Sequence, residues 1–182
     1  MRKTLLATLA LLTCLAAVSD PAEARPRPRR GKSFEANKTF GLGLELGAPT
    51  GLTGKYFLES DRALQFGLGT IYHYRDRDGL HLYVDYLVHP VSLVSHPSFE
   101  LPLYFGIGGR IWDLEHYRGD RLDEDAFALG VRVPVGITFD FNTIPLDAFV
   151  QLAFVLDFYT GDYYRDVYAD LNGSIGVRYW FN

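Results

Sequence analysis

From Phe127 to Phe139 the chain reads FALGVRVPVGITF, and alternate residues belong to two very different sets. Phe127, Leu129, Val131, Val133, Val135, Ile137 and Phe139 are all apolar, while Ala128, Gly130, Arg132, Pro134, Gly136 and Thr138 are small or polar. Successive side chains of a strand point to opposite faces, so a period of two is a strand signal and not a helical one. Strands in globular proteins usually have about five or six residues, and this one is far longer. At about 3.3 Å per residue it spans about 40 Å, or about 30 Å when tilted by about 40°. That is the thickness of a bilayer's hydrocarbon core. A wholly apolar face suits lipid, and the opposite face of glycine, small residues and one arginine suits a polar lumen.

The alternation recurs along the chain. Phe40, Leu42, Leu44 and Leu46 alternate with Gly41, Gly43, Glu45 and Gly47. After a tight Ala48-Pro49-Thr50 turn, Leu52, Tyr56 and Leu58 alternate with Thr53, Lys55 and Phe57. Leu64, Phe66 and Leu68 oppose Gln65, Gly67 and Gly69; Leu80, Leu82, Val84, Tyr86 and Val88 oppose His81, Tyr83, Asp85 and Leu87. Leu101, Leu103, Phe105, Ile107 and Ile111 oppose Pro102, Tyr104, Gly106, Gly108 and Arg110. Beyond Phe139, Leu146, Val150, Leu152, Phe154, Leu156 and Phe158 oppose Asp147, Gln151, Ala153 and Asp157. Last, Leu171, Ile175, Val177, Tyr179 and Phe181 oppose Asn172, Ser174, Gly176, Arg178 and Trp180. The reading is an all-β chain: an eight-stranded antiparallel up-and-down transmembrane β-barrel over residues 39–182.

The connections alternate too. Glu59 to Arg62 and Asp140 to Pro145 are short, whereas HYRDRDG (73–79), DLEHYRGDRLDED (113–125) and the tyrosine-rich segment 159–168 are longer and charged. Outer-membrane barrels have short periplasmic turns and longer extracellular loops. Two connections break the scheme: Ala48 to Thr50 is short on the outer side, and His89 to Ser98 is long on the inner side. Pro134 has no N–H for the ladder, which predicts a bulge or local break there.

A soluble eight-stranded barrel would turn its apolar face inward. In this chain the charges share their face with the glycines, and an eight-stranded interior has room only for side chains. Apolar rows turned toward water would aggregate. Export agrees with the membrane reading: residues 1–24 carry Arg2 and Lys3, an apolar run from Leu5 to Val18, and Ala22-Glu23-Ala24, the three parts of a cleaved signal peptide. A membrane helix is excluded because the run is short and broken by Thr8 and Thr13. Thr13 before Cys14 also fits a lipoprotein signal poorly. Cys14 is the only cysteine, so a chain cleaved after Ala24 has no thiol chemistry.

Residues 25–38, RPRPRRGKSFEANK, hold six basic residues and two prolines, and read as a flexible basic periplasmic arm. Residues 39–182 carry 10 Lys+Arg against 19 Asp+Glu, a net of −9. No basic aromatic groove follows the arm, so nucleic acid is not an expected partner. The expected partners are outer-membrane lipid and lipopolysaccharide, the barrel assembly machinery and an extracellular ligand of unknown kind, bound by a monomer.

The ending RYWFN looks like a barrel assembly signal, carried by Tyr179 and Phe181, although Asn182 follows the last aromatic. The chain resembles the small OmpA/OmpX-type outer-membrane barrels in architecture. More closely, GLGLELGAPTGLTGKY, LPLYFGIGGR, RVPVGITF and GVRYWF are similar to an uncharacterised family of small bacterial outer-membrane barrels. That resemblance implies location and fold, and no reaction.

Chemistry has few footholds. Glu45, Lys55, Asp85, Arg110, Arg132, Asp147, Asp157 and Arg178 share the lumen face as four acids and four bases, a polar network expected to pair because unpaired buried charge is costly. With residue 47 paired to 51 across the tight turn, Glu45 faces Thr53 and Lys55 lies one diagonal step away, within reach. His96-Pro97-Ser98 with Glu100 imitates the spacing of a lipid A deacylase, but on the periplasmic side. Asp113, Glu115, Asp120, Asp123, Glu124 and Asp125 lack the alternation and central glycine of a calcium loop. His73, His81, His89, His96 and His116 show no metal spacing. The expectation is a barrel without catalysis, metal or cofactor, acting structurally or through its outer loops. A narrow channel and a lipid A-modifying enzyme are the alternatives.

Overall fold

The alternation that dominates the sequence becomes one closed wall. The computed structural model describes residues 33–181, apart from 75–76, 115–116, 119–120, 123–125 and 161–166. The expected signal peptide 1–24 and residues 25–32 of the arm lie outside the described residues. Eight antiparallel strands form the barrel: β1 (Phe40–Gly47), β2 (Thr50–Glu59), β3 (Arg62–Tyr74), β4 (Arg77–His96), β5 (Phe99–Leu114), β6 (Ala126–Phe141), β7 (Leu146–Thr160) and β8 (Val167–Trp180). Each pairs with its neighbours in sequence, and β8 closes on β1 from Gly41↔Trp180 to Gly47↔Ser174. A short hairpin, Tyr117–Arg118 with Arg121–Leu122, projects between β5 and β6.

The register fixes the geometry. Followed around the wall from Gly41, the ladder passes Lys55, Gln65, Asp85, Gly108, Arg132 and Val155 to Asp170. Gly41 itself faces Trp180, so one circuit is staggered by ten residues along β8. Eight strands with such a stagger tilt by about 40° to the barrel axis. The start of β1, the end of β8 and the turns after β2, β4 and β6 share one end, called here the turn end; the longer connections lie at the loop end.

Side chains partition inside out. Leu44, Ile107, Val150 and Leu171 on the outer face are each at least 59% exposed, and the outer rows of all eight strands are apolar. Gln65, Asp85, Arg132 and Arg178 are buried within. Aromatic rings cluster at the turn end, where Phe99 stacks on Phe139 (4.6 Å) and Phe139 meets Phe141 (4.9 Å).

Four expectations change or sharpen. β4 runs on to His96 and β5 begins at Phe99, so His89 to Ser98 is mostly strand with register shifts near Val91 and Ser95 and a turn at Pro97-Ser98. At Pro134 the ladder breaks without a bulge: its register with Ala153 is unbroken, while toward β5 the pairing is interrupted between Phe105↔Val135 and Gly108↔Arg132 and resumes in the same register. The β1–β2 register lies two residues from the expected one, on the side of a tighter turn. Gly47 adopts φ +131°, which an L side chain rarely tolerates, and its N–H and C=O both bond the Thr50 hydroxyl (3.0 and 3.1 Å). Glu45 therefore faces Gly51, and Lys55 faces Gly41.

The fourth change concerns the arm, whose last residues dock on the barrel through Phe34 and Lys38. Ser33–Lys38 crosses the turn end as a strap. Phe34 is 2% exposed, packed against Phe57 (5.9 Å) and His89 (5.4 Å). The Ala36 N–H donates to Ser60 O (2.7 Å). Lys38 Nζ donates to Asp140 Oδ1 (2.5 Å), Phe141 O (2.7 Å) and Leu146 O (3.3 Å). Composition concealed this, because one phenylalanine among basic residues carries no periodicity.

Candidate functional site: the charged lumen

All eight charged residues expected on the lumen face are buried in the barrel interior, and six of them pair. Nearest the loop end, Arg110 makes a two-point ion pair with Asp157, Nε to Oδ1 at 2.8 Å plus an Nη2–Oδ2 contact. The Asn172 amide, oriented to suit both neighbours, accepts from Arg110 Nη1 (2.6 Å) and donates to Asp170 (2.9 Å). At mid-barrel Arg132 Nε donates to both Asp85 oxygens (3.2 and 3.3 Å). Toward the turn end Arg178 Nε donates to Asp147 Oδ1 (3.0 Å), whose other oxygen accepts from Trp180 Nε1 (3.1 Å).

Glu45 and Lys55 are not brought together. The tighter β1–β2 register draws them apart, and Glu45 Oε2 instead accepts from the Tyr83 hydroxyl (3.0 Å). Lys55 makes no ion pair among the described residues; its Nζ sits 4.4 Å from the Tyr104 ring centroid and 5.5 Å from that of Phe57.

Tyr83 is the group that charge-counting missed. Its hydroxyl also lies within reach of Thr53 Oγ1 (3.4 Å) and Gln65 Nε2 (3.5 Å), and the Arg132 guanidinium stacks on its ring (4.2 Å). Room for the ring comes from Gly67 on β3, where a Cβ would strike both Tyr83 and Glu45. Gln65 links this layer to the next: its amide donates to Gln151 Oε1 (2.8 Å), which also accepts from Tyr104 (3.1 Å), and its carbonyl accepts from Arg178 Nη1 (3.0 Å). The signal for Tyr83 was its place between His81 and Asp85 on the lumen face. Nearer the loop end Ile71, Trp112 and Ala128 form an apolar layer on which Ala48 of the first turn packs.

The pairing leaves a remainder. Glu45 Oε1, His81 Nδ1, His89 Nε2, Arg132 Nη1, Thr138 Oγ1 and Arg178 Nη2 are buried without a hydrogen-bond partner among the described residues. Such atoms ordinarily meet water or a bound ligand.

The other sequence candidates lie elsewhere. His96, Pro97 and Ser98 form an exposed turn at the turn end, tied down by Ser98 N–H to His96 Nδ1 (3.2 Å) and by the Asn142 amide to His96 O and Pro97 O (3.0 and 3.2 Å). Glu100 pairs along the ladder with Asp140 and Ser95. The side chains of His73, Asp113, Glu115, His116, Asp120, Asp123, Glu124 and Asp125 lie outside the described residues, and no His, Cys, Asp or Glu triplet among the described residues could hold a metal. Tyr179 and Phe181 are exposed on the outer face, edge to face at 5.0 Å, with Phe181 also 6.2 Å from Phe40. No family model, curated protein or solved structure matched the chain.

Proposed function

We propose that the chain is a small monomeric outer-membrane β-barrel of the OmpA/OmpX kind, exported through the cleaved segment 1–24. It is non-catalytic, and its role is structural or one of surface interaction through the loops at 73–79, 113–125 and 159–168. The observation that carries this reading is the partition across the wall. Leu, Val, Ile, Phe and Tyr side chains cover the outside of every strand, whereas three ion pairs and the Tyr83 hydrogen bonds fill the inside. Water would leave that outer surface as one continuous apolar patch, far larger than soluble monomers tolerate. Lipid removes the penalty, and closure of β8 on β1 leaves no open edge along the paired rows, as hydrocarbon requires. Arg110, Arg132 and Arg178, each held to a carboxylate, stand across the bore as a plug, which favours the structural role over a narrow channel.

Two measurements test the proposal. The protein refolded into phosphatidylcholine vesicles should migrate differently on a gel when unheated than when boiled, and should sediment with the outer-membrane fraction of cells. Planar bilayers should show no conductance steps. A protein that stays soluble and folded without detergent ends the membrane reading; regular steps favour the channel instead.

A further inference from the structure

The strap Ser33–Lys38 is fastened to the barrel in two different ways. Lys38 grips Asp140 Oδ1, Phe141 O and Leu146 O, whereas Phe34 rests on the rings of Phe57 and His89. The second fastening is ring packing alone, and one of its rings can take up a proton. His89 is 1% exposed. Its ring lies between those of Phe34 (5.4 Å), Phe57 (5.1 Å) and Tyr104 (5.5 Å). Phe57 belongs to β2 and Tyr104 to β5, so Phe34 is the wall of this enclosure that can leave without unfolding the barrel.

The partner of His89 fixes its tautomer. Asp61 O can only accept, so Nδ1, which faces it at 3.2 Å, carries the hydrogen. Nε2 then holds the lone pair, and it is buried without a hydrogen-bond partner among the described residues. A proton taken up there creates a buried donor with no acceptor. It also creates a cation among cations: β2 brings Lys55, held by the same Tyr104 and Phe57 rings, and β8 brings Arg178. The nearby acids are engaged, Asp140 of β6 by Lys38 and Asp147 of β7 by Arg178. Asp61 lies beside Arg62 (3.9 Å), Glu100 pairs with Asp140 further along β5, and Glu35 and Glu59 are exposed. A closed strap and a protonated His89 therefore oppose each other.

We propose that His89 is a proton-sensitive latch: uptake of a proton at Nε2 releases Ser33–Lys38 and opens the turn end of the lumen to water. Release also returns Lys38 to the basic arm, which then carries all six of its cations free. The direction follows from counting protons. The closed state holds His89 neutral, and the open state lets it titrate near the ordinary imidazole value of about 6.5. Below that value the ratio of closed to open strap falls about tenfold per pH unit, and above it closure is at full strength. A docking preference of about 100-fold, the order expected for one buried phenylalanine ring, puts half-release near about pH 4.5.

The test uses barrel in detergent micelles, so its outcome does not depend on the membrane reading. Ser33 is exposed at the start of the strap, and a nitroxide on Ser33→Cys, in a Cys14→Ser background, reports strap mobility. The label should be immobile at about pH 7.5 and mostly mobile by about pH 4, along a one-proton profile. His89→Gln cannot take up the proton and should stay immobile over the whole range. Phe34→Ala should be mobile at every pH, which calibrates the open signal. Heat-modifiable migration at each pH follows the barrel itself. A label that stays immobile throughout overturns the latch, as does release that coincides with unfolding of the barrel. A parental profile retained by His89→Gln also overturns it and moves the proton to an acid such as Asp140. Should His89→Gln fail to fold, the imidazole resonances of His89 in the otherwise native chain decide: a titration midpoint apart from that of the label overturns the proposal.

Discussion

Arg132 and Asp85 form their ion pair across an intervening strand, over a residue that has no side chain. Asp85 on β4 faces Gly108 on β5, and Gly108 faces Arg132 on β6. Arg110 and Asp157 repeat the arrangement across Gly130 of β6. The lumenal glycines are thus the gaps through which second-neighbour charges meet.

This predicts a sharp contrast between adjacent glycines. A Cβ on Gly108 would occupy the space of the Asp85 carboxylate, while one on Gly109, on the outer face, meets nothing closer than Gly130 O at 3.7 Å. Gly108→Ala should cost about 3–5 kcal/mol, the usual effect of breaking a buried ion pair. Gly109→Ala should stay within about 0.5 kcal/mol of the parent, as surface changes do. Urea titration of the refolded barrel measures both, and equal losses would mean that the glycines are not gaps for ion pairs.

The outer face predicts a second contrast. Val133 is 46% exposed on the wall that we read as facing lipid. Val133→Arg should destabilise the vesicle-bound barrel by about 2–4 kcal/mol near the bilayer midplane. Thr143→Arg, in the exposed β6–β7 turn, should be silent. Equal tolerance of the two arginines would remove lipid from the outer surface. Gly136→Ala is not a mild lumenal control, because its Cβ would meet the Tyr104 ring.

Strand parity was legible because each strand states it several times over. Val131, Val133 and Val135 oppose Arg132 and Pro134, and no register slip keeps both sets suitably placed. The three ion pairs were legible as a set of charges but not as partners: Arg110–Asp157 and Arg132–Asp85 join residues two strands apart and so depend on two registers at once, and Arg178–Asp147, directly opposite on β8 and β7, depends on one. Glu45 and Lys55 show the limit. Their separation turns on the Gly47–Thr50 turn, where two residues of register decide which lumenal groups face each other. Tyr83 was hidden because an inward tyrosine looks like bulk, and the strap because Phe34 interrupts a basic run only once.

The orientation gives a topological prediction. Asn142, in the β6–β7 turn, lies at the end where β1 begins and β8 finishes, and Gly161, outside the described residues, belongs to the connection between β7 and β8. Under the proposed cleavage after Ala24, which would remove Cys14, Asn142→Cys should react with an impermeant thiol reagent only after the outer membrane is breached. Gly161→Cys should react on intact cells. Labelling of Asn142→Cys on intact cells would reverse the barrel in the membrane.

The strap divides the basic arm into two parts with different consequences. Deleting 25–32 should leave the unfolding midpoint unchanged. Phe34→Ala should lower stability by about 3 kcal/mol, as removal of a buried ring does. Lys38→Met, which removes the bonds to Asp140 Oδ1, Phe141 O and Leu146 O, should lower it as well. Urea titration separates these outcomes, and a silent Phe34→Ala would show that the strap does not contribute to the fold.

The closing strand gives the last prediction. Residues 180–182 are few, but Trp180 and Phe181 complete the seam between β8 and β1. Trp180 faces Gly41, donates through its indole to Asp147 (3.1 Å) and through its backbone N–H to Pro145 O (2.8 Å), and stacks on Phe57 (5.6 Å). The Phe181 N–H donates to Phe40 O (2.8 Å), the last rung of the seam. Removing 180–182 would strip these bonds from the turn end of β1, leaving an unpaired edge where hydrocarbon begins. It would also leave Asp147 with Arg178 alone. The truncated chain should therefore accumulate little heat-modifiable barrel in cells, whereas deletion of 25–32 should change nothing. Phe181→Ala separates pairing from assembly, since it keeps the backbone rung and removes only the outer ring. If Phe181→Ala refolds normally in vitro yet assembles poorly in cells, the aromatic acts as the assembly signal. If the truncation accumulates at the parental level, closure of β8 on β1 does not depend on Trp180 and Phe181.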